Sequence, residues 1–396
     1  MRKIIPLLLA LLLAAGCGPV GTTEIPVTDD GPVREETADP AGSQDDETGD
    51  AIPDVPDIAR TPEEEKALST LAAMTLEEKV GQMFLARCPE TDAAAQASQY
   101  ALGGYILFGR DFQDKTREQA AADIAALQAA VKTPLLIAVD EEGGTVNRVS
   151  RYKAFRSVPF KSPRALYDEG GFDLIQTDTA DKCRLLSSLG INVNMAPVAD
   201  VTLDANAFMY QRSFGRSAEL TAQYVRNVVS VMEAEGMGSV LKHFPGYGDV
   251  GDSHTAMTFD DRPLETFESA DLQPFQEGIA CGADAVLVCH NVVQAMDAEN
   301  PASLSPEVHR LLREELGFDG VIVTDDLYMD AIRQFTSVPE AAVLAVEAGN
   351  DLICCTEFGQ QVPAVTEAVR SGRISESRID ASVLRILLWK IDLGIL

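Results

Sequence analysis

Basic residues are scarce in this sequence. Its 396 residues include 32 Lys and Arg against 62 Asp and Glu, which gives a formal net charge of −30 at pH 7. Nucleic acid requires a basic face on its partner, and anionic lipid attracts basic segments, so this balance argues against both kinds of partner. We interpret the acidity as a solvated surface.

Signatures of metal and nucleotide binding are also missing. The sequence has no CxxC pair, no HxH pair and no His/Cys ladder with the spacing of zinc ligands. No GxGxxG motif follows the first apolar run, which weakens a dinucleotide-binding interpretation. A metal hydrolase that binds zinc through His243, His254 and His290 is a minor alternative. We therefore expect no metal and no cofactor.

Cysteine is not used as a disulfide framework. The chain has seven Cys, of which Cys17 lies near the N-terminus, and the other six lack framework spacing. Cys281, Cys289, Cys354 and Cys355 lie in apolar segments typical of strands or helices. We expect these to be free, buried thiols.

Long hydrophobic runs are absent except at the N-terminus. There, Arg2 and Lys3 precede an apolar run from Ile4 to Ala15, which is too short for a confident membrane span. The following "LAAGC" resembles a bacterial lipoprotein signal, with simple secretion as the alternative. We predict that 1–16 is a lipoprotein signal peptide and that Cys17 is lipidated. The protein would then be exported and held on the extracytoplasmic face of the cell membrane by lipid alone.

The next segment lacks both apolar periodicity and aromatic residues. The range 21–65 holds 15 acidic and 2 basic residues among many Pro and Gly. Such a composition cannot bury enough apolar surface to offset the entropy lost on ordering. We predict a disordered acidic linker over 17–61 and one folded domain over 62–396.

Short apolar runs alternate with amphipathic helical patterns through the predicted domain. The runs are 81–86, 103–109, 134–140, 191–200, 239–246, 285–291, 320–326 and 351–356. Apolar strands that alternate with helices indicate a parallel sheet covered on both faces. Eight such units predict an α/β fold, a single (β/α)8 TIM-type barrel, with a doubly wound open sheet as the competitor. The last pattern, "RILLWKIDLGIL", predicts a C-terminal helix.

Polar residues follow most of the apolar runs. They are Arg110, then Asp140 with Glu141 and Glu142, then Asp200, Lys242 with His243, His290, and Asp325 with Asp326. The loops after the strands of a barrel form one face, so these groups should converge on one pocket. Carboxylates with His and Lys suggest acid–base or nucleophilic chemistry. His309 lies outside this pattern, and we interpret it as a bystander on a surface helix.

Asp325 and Asp326 cannot both face one pocket from an extended backbone, because side chains alternate along a strand. One would act as nucleophile or base and the other would brace the next turn, and the spacing does not say which. In "DSH", Asp252 and His254 are two residues apart, so their side chains share one side of an extended segment. The carboxylate could then fix the imidazole tautomer and raise its pKa. A simple Gly/Asp turn is the alternative.

The motifs together resemble those of family 3 glycoside hydrolases, specifically the bacterial β-N-acetylhexosaminidase branch. The resemblance covers residues 64–396 and rests on six motifs, which are "GGYILFGRDF", "AVDEEGGTVNRV", "NMAPVADV", "RSFG", "KHFPGYGDVGDSH" and "GVIVTDDLYMDAI". It implies a retaining mechanism with Asp325 as nucleophile and His254 as acid/base, paired with Asp252. Tyr247 departs from the His or Arg often found there, and we expect it to alter contacts with the leaving group.

The resemblance also implies how the sugar is held. By motif match, the substrate-binding residues are Asp140, Arg148, Arg212, Lys242 and His243. The implied activity is exo-acting hydrolysis of terminal β-linked N-acetylglucosamine from cell-wall muropeptides or chitin oligosaccharides. The alternatives are a β-N-acetylglucosaminide phosphorylase and a catalytically inactive sugar-binding lipoprotein. We expect a monomer whose partner is a carbohydrate.

Overall fold

The computed structural model describes residues 61–248, 250–251, 253 and 256–396. The predicted signal peptide and most of the predicted linker lie outside the described residues. Cys17, Asp252 and His254 lie outside them as well. The first described helix begins at Pro62, directly after the capping residue Thr61.

Parallel strands form the centre of the fold. The strands found in the described part of the chain are β1 (Phe84–Arg87), β2 (Gly104–Leu107), β3 (Leu136–Val139), β4 (Val193–Asn194), β5 (Gly238–Phe244), β6 (Phe259–Asp260), β7 (Ala285–Val288), β8 (Val292–Val293), β9 (Val321–Thr324) and β10 (Ile353–Cys355). Strands β6 and β8 pair only with each other, and the remaining eight form one sheet. Each of the eight predicted runs overlaps one strand of that sheet, although β1 and β5 each extend one residue beyond their runs, so the prediction of the strands is confirmed.

The sheet closes into a barrel. Its strand order is β10-β1-β2-β3-β4-β5-β7-β9, and every pair in it is parallel. The two end strands meet through a parallel bridge between Val323 and Leu352, and the amide of Thr324 donates to the Leu352 carbonyl at 3.1 Å. An open doubly wound sheet has two free edges, so that alternative is wrong. The predicted (β/α)8 barrel is confirmed.

Helices surround the barrel. They are α1 (Pro62–Ala72), α2 (Leu76–Gln82), α3 (Ala93–Gln99), α4 (Arg117–Ala129), α5 (Pro163–Ser187), α6 (Ala218–Ala234), α7 (Leu264–Thr266), α8 (Leu272–Ala280), α9 (Pro306–Arg310), α10 (Asp330–Phe335), α11 (Val338–Ala348), α12 (Phe358–Arg370) and α13 (Glu376–Asp392). The predicted C-terminal helix is confirmed as α13. None of the helices in the described part of the chain combines the length and apolar character that a membrane span requires.

Local sequence signals set where several helices begin. The side chains of Thr61, Thr75 and Thr116 each accept the backbone N–H three residues later. In return, the Glu or Gln at that later position accepts the backbone N–H of the Thr. This reciprocal capping box satisfies two amides that the helix itself leaves without partners.

The core occupies both faces of the barrel wall. Val240 and Leu241 are adjacent on β5, point to opposite faces, and are both fully buried. Leu241 faces outward, where a Cβ added at Gly278 on α8 would lie 2.5 Å from its Cδ1. The strands read as continuous apolar runs because one face fills the barrel and the other packs on helices.

A loop begins after β5, and the "GDVGDSH" segment follows in the sequence, with residues 249, 252 and 254 outside the described ones. Where the loop returns, the Arg262 guanidinium donates to Asp260 at 2.7 Å and to Asp271, just before α8, at 2.9 Å. It also reaches the carbonyl of Gly246, where the loop leaves the barrel, at 3.4 Å. One buried ion cluster therefore holds both ends of this loop against the barrel.

Two predictions about buried residues have different outcomes. Cys281, Cys289, Cys354 and Cys355 are free thiols as predicted, although Cys281 is only half-buried. The prediction of a surface position for His309 is wrong. Its side chain is buried on α9, its Nδ1 lies 2.7 Å from the Ser305 carbonyl, and burial lowers its pKa. The helical pattern around it did not reveal that α9 packs with this face inward.

Lys390 is a buried lysine on α13. Its side chain is fully buried, and its Nζ donates to the Gln82 side-chain carbonyl at 2.6 Å. Burial lowers the pKa of Lys390 to about 7. A buried ammonium without a nearby carboxylate loses hydration that a neutral amide oxygen does not fully replace.

We predict that Lys390→Met changes how stability depends on pH. Between about pH 7 and 10.5 the unfolded chain holds a proton at Lys390 that the folded chain has released. The free energy of unfolding therefore rises with pH in this window, and this contribution is lost as pH falls to 7. The difference between variant and wild type should change by roughly 4 kcal/mol across the window. Urea denaturation at pH 6, 8 and 10 measures it.

The exposed Lys132, changed to Met, is the matched control, because 71% of its side chain is accessible to solvent. In this control, the free energy of unfolding should depend on pH as it does in the wild type. An unchanged slope in the Lys390 variant would contradict the assignment.

Candidate active site

Six residues predicted from the sequence line one cavity of about 380 Å³ at the end of the barrel where the parallel strands finish. They are Asp140, Arg148, Arg212, Lys242, His243 and Asp325. They come from the ends of β3, β5 and β9 and from the loops after β3 and β4. The barrel therefore brings together residues that lie up to 185 positions apart in the sequence, as Asp140 and Asp325 do.

Five other strand-end residues do not line this cavity: Glu141 and Glu142, described below, and Arg110, Asp200 and His290. Arg110 points elsewhere and donates to Glu90 at 2.9 Å. Asp200 is buried beside His243, while the ring of His290 contacts Ser303 at 2.7 Å and the Asp326 carbonyl at 3.1 Å. Asp200 and His290 thus support cavity residues, whereas Arg110 belongs to a different surface.

Lys242 is the most deeply buried cation of the cavity. Its Nζ lies 2.7 Å from an oxygen of Asp140 and 2.7 Å from an oxygen of Glu142. Burial alone would lower the pKa of Lys242, but the charges of Asp140 and Glu142 outweigh it and raise that pKa. The ammonium therefore stays charged and keeps the Asp140 carboxylate oriented toward the cavity.

Glu142 follows β3 as the last of three consecutive acids, but it was not among the residues predicted to bind the sugar. It is buried and accepts from Arg212 through both oxygens, at 2.8 Å from Nη2 and 3.1 Å from Nε. Burial would raise its pKa, but Lys242 and Arg212 together hold the pKa of Glu142 well below its usual range. Since both cations need this one anion, Glu142 sets their spacing.

Glu141, between the two cavity-side acids, has a structural role. It is fully buried and accepts backbone N–H groups from Arg148 at 2.8 Å, Val149 at 2.7 Å and Ser150 at 3.1 Å. These bonds fold the loop after β3 back toward the barrel. The side chain of Arg148 is thereby placed on the cavity wall, with its Nη2 3.8 Å from Asp140.

His243 is held in one tautomer by its two neighbours. Its Nδ1 lies 2.7 Å from the Asp200 carboxylate, and its Nε2 lies 3.2 Å from Arg212 Nη2. A guanidinium can only donate, so Nε2 must accept, and the neutral ring carries its hydrogen on Nδ1. The imidazole is therefore a fixed element of the cavity wall.

Tyr247 links this network to the "DSH" segment. Its backbone N–H donates to the second oxygen of Asp200 at 2.7 Å. Its hydroxyl lies 2.7 Å from the Ser253 Oγ and accepts the Ser253 amide at 2.8 Å. Ser253 is buried, and in the sequence it lies between Asp252 and His254. The hydroxyl of Tyr247 therefore holds the central residue of the "DSH" segment.

The adjacent aspartates after β9 have different surroundings. Both oxygens of Asp326 accept from the following structure, from the Tyr328 amide at 3.0 Å and the Thr356 hydroxyl at 3.0 Å. Burial raises the pKa of Asp326, and the charge of Asp325 adds to the effect. Asp326 thus has the bracing contacts expected of one of the pair. Both aspartates line the cavity, and Asp325 accepts the Asp326 amide at 2.9 Å.

Known proteins are similar to this chain in sequence and in fold. Residues 75–388 match the N-terminal domain of glycosyl hydrolase family 3. Over 266 residues the chain is 38% identical to a beta-hexosaminidase from Xylella fastidiosa (strain 9a5c), which covers 65% of this chain and 78% of the relative.

Solved structures give the same result. A family 3 beta-N-acetylglucosaminidase from Paenibacillus sp. is 38% identical with a TM-score of 0.76, over 82% of this chain and 63% of that one. This chain thus spans less than two thirds of the Paenibacillus protein. A family 3 glycosyl hydrolase from Mycobacterium smegmatis is 31% identical with a TM-score of 0.74, over 81% of this chain and 98% of that one. The chain therefore belongs to glycosyl hydrolase family 3 and is a glycoside hydrolase.

Proposed function

We propose that this enzyme is an exo-acting, retaining β-N-acetylglucosaminidase that removes terminal β-linked N-acetylglucosamine. The observation that carries the proposal is one cavity that gathers Asp325 with five polar residues able to hold a sugar. The hexosaminidase type of the activity is supported by relatives named beta-hexosaminidase at 34–38% identity. It is also supported by the Paenibacillus structure, which is titled as a beta-N-acetylglucosaminidase.

The shape of the cavity supports exo action. The barrel interior below it is filled by core side chains, such as the fully buried Ala138 and Val240. A glycan can therefore enter only from the mouth and cannot thread through. A cavity of about 380 Å³ suits one terminal sugar, with the next residue of the substrate left at the rim.

The polar groups of the cavity suit a hydroxyl-rich ligand. Asp140 can accept from sugar hydroxyls, because its carboxylate lines the cavity and is held in place by Lys242 Nζ at 2.7 Å. Arg148 and Arg212 supply donors, and a guanidinium donates in a fixed planar fork. The salt bridges of these groups preset their positions, so little ordering is left to the moment of binding.

In the proposed reaction, a carboxylate oxygen of Asp325 attacks the anomeric carbon as the bond to the leaving oxygen breaks. His254 gives its proton to that oxygen, and a covalent glycosyl–Asp325 ester forms. Water then attacks the same carbon, the ester bond breaks, and His254 takes the proton from water. Two displacements at one carbon retain its configuration.

A histidine acid/base suits an anionic leaving group. Most retaining glycosidases use a second carboxylate, whereas the proposed dyad uses the imidazole of His254 oriented by Asp252. After it has donated its proton, the imidazole is neutral and does not repel a departing carboxylate-bearing sugar. Muropeptides of the cell wall carry such carboxylates and are one proposed substrate, and chitin oligosaccharides are the other.

The proposed location is the extracytoplasmic face of the cell membrane. The basic, apolar and small-residue order of 1–16 supports export, and Cys17 is the proposed lipid attachment. The acidic composition of 17–61 supports a role as a spacer between the anchor and the enzyme. Attachment by lipid alone would leave the barrel in the aqueous phase.

The nucleophile can be tested by trapping the intermediate. A slow 5-fluoro glycosyl fluoride of N-acetylglucosamine should leave the enzyme with one covalently bound sugar. The label should lie on tryptic peptide 314–333, with fragmentation placing it on Asp325. Asp325→Ala should fold, give no label and show no turnover of an aryl β-N-acetylglucosaminide. Labelling of Asp326, or full activity of the variant, would contradict the assignment.

The proton donor can be tested with two leaving groups. His254→Ala should lose about 10²–10⁴-fold in kcat/KM on an alkyl glycoside, which needs protonation as it leaves. It should lose much less on a dinitrophenyl glycoside, whose phenolate leaves without help. Equal losses on both substrates would argue against a proton donor at this position.

Tyr247 should influence the same step through its hydroxyl. Tyr247→Phe removes the group that holds Ser253, so we expect kcat on the alkyl glycoside to fall about 3–10-fold with little change in KM. Tyr105→Phe is the matched control, because it also removes a buried hydroxyl, one that donates to Ala93 at 2.8 Å on the far side of β2. If Tyr247→Phe lowered kcat equally on the dinitrophenyl glycoside, the result would indicate a general packing defect instead.

The anchor can be tested in cells. Cys17→Ser should abolish lipid attachment and release active enzyme into the soluble fraction, because one thiol carries the proposed anchor. Fractionation with an activity assay measures the release. Unchanged membrane association of the variant would remove the anchor from the proposal.

A further inference from the structure

Arg87 is a cation of the active-site cavity that no sequence motif had pointed to. It is the last residue of β1 and lies on the cavity wall with Phe108 and Arg148. Its side chain is half-buried, and its Nε is buried without a hydrogen-bond partner among the described residues. No ion pair of Arg87 occurs within the described part of the chain.

The other cations of the cavity are bound to carboxylates to different degrees. Lys242 is paired with Asp140 and Glu142 at 2.7 Å each. Arg212 forms a two-point contact with Glu142. Arg148 reaches Asp140 only at 3.8 Å, since Lys242 already occupies the near oxygen of that carboxylate. Among the described residues, the wall that carries Arg87 and Arg148 therefore has one ion pair, the 3.8 Å contact of Arg148 with Asp140, and none at Arg87.

One aromatic ring supports both of these arginines. The guanidinium carbon of Arg87 lies 4.5 Å from the centroid of Phe108, and that of Arg148 lies 5.6 Å from the same centroid. A guanidinium that packs on a ring face uses its own flat face, so the N–H donors at its edge remain available in the plane. This arrangement leaves the fork of Arg87 able to bind two oxygens of one anion.

The barrel order places Arg87 next to the reacting groups. Strand β1 pairs with β10 on one side and with β2 on the other. Asp325 follows β9, the strand beyond β10, and Asp140 follows β3, the strand beyond β2. Arg87 therefore lies on the arc of the cavity rim between the proposed nucleophile and the sugar-holding wall.

We infer that Arg87, assisted by Arg148, binds an anionic oxygen group during the reaction. The group is either a carboxylate carried by the substrate or inorganic phosphate that replaces water as the acceptor. In the second case a phosphate oxygen attacks the anomeric carbon of the glycosyl–Asp325 ester, the carboxylate leaves, and a sugar 1-phosphate forms. The inference rests on the proposed function. It predicts that the active-site cavity prefers acidic ligands over neutral ones.

The charge of the whole protein makes a local cation necessary for such a ligand. The chain carries a formal charge of −30, so its general field repels anions. A guanidinium that has no ion pair among the described residues, inside a concave and partly desolvated site, offsets that repulsion at short range. A neutral glycan such as a chitin oligosaccharide gains nothing from it.

The carboxylate arm compares an acid with its ester. The substrates are N-acetylglucosamine β-linked to N-acetylmuramic acid, and the same disaccharide with the carboxyl as a methyl ester. Arg87→Met should lower the ratio of kcat/KM for acid over ester by roughly 10-fold or more. Arg87→Lys keeps the charge without the fork and should retain part of the ratio. Arg333→Met should keep it, because Arg333 also packs on a ring, that of Tyr328 at 4.8 Å, but is exposed and outside the cavity lining.

The phosphate arm measures formation of the sugar 1-phosphate from the ester substrate with increasing inorganic phosphate. If phosphate is the ligand, Arg87→Met should lower this product by roughly 10-fold, while the acid-to-ester ratio stays near that of the wild type. Either result supports an anion site at Arg87. Equal losses on acid, ester and phosphate, or no loss on any, would overturn the inference.

A binding measurement separates this inference from the proposed function. Calorimetric titration with N-acetylmuramic acid and with its methyl ester needs no turnover. Wild-type enzyme should prefer the acid, or else bind phosphate, and Arg87→Met should lose that preference. A preference for anions without any glycosidase activity would reject the proposed function alone. The enzyme could instead be fully active on the aryl glycoside while wild type and Arg87→Met bind anions equally. That result would reject the anion site alone.

Discussion

The buried contact of Glu142 with Lys242 and Arg212 is the interaction on which the site depends. Two cations, one on β5 and one in the loop after β4, share one carboxylate that has almost no access to water. A buried charge without its partner is strongly destabilising, so neither cation can move far from Glu142. Because Lys242 also fixes Asp140 and Arg212 also contacts His243, the position of one acid determines the placement of four groups around the cavity.

A second carboxylate extends this order to the loop after β5. Asp200 accepts from the His243 ring and from the backbone of Tyr247, whose hydroxyl holds Ser253. The residues proposed to hold the sugar and the segment proposed to supply the proton thus share one hydrogen-bond network. Arg262 fixes the two ends of the same loop through Asp260, Asp271 and Gly246. Positioning of the acid/base relative to the bound sugar is therefore a property of the barrel rim as a whole.

Much of the fold and part of the site could be predicted from local patterns. The alternation of apolar runs with helices located every barrel strand, and strand-end polar residues identified Asp140, Lys242, His243 and Asp325. Arg148 and Arg212 were predicted only through the family resemblance. Glu142 was found beside Asp140 but not chosen, since three consecutive acids give no sign of which side chain will meet the cations. Arg87 was missed because a lone Arg after a strand is usually solvated. His309 was misplaced because helical periodicity does not identify the neighbouring element.

The sequence alone determined the class of fold and the set of chemical groups, because periodicity and strand-end chemistry depend on neighbours along the chain. It also carried the motifs that connect the chain with family 3. Tertiary structure decided which groups meet. The separate hydrogen bonds of Asp325 and Asp326, the shared anion of Lys242 and Arg212, and the place of Arg87 on the cavity wall all depend on contacts between distant parts of the chain. Such contacts arise when the closed barrel brings the ends of its strands to one rim, and burial there makes each charge sensitive to its neighbours.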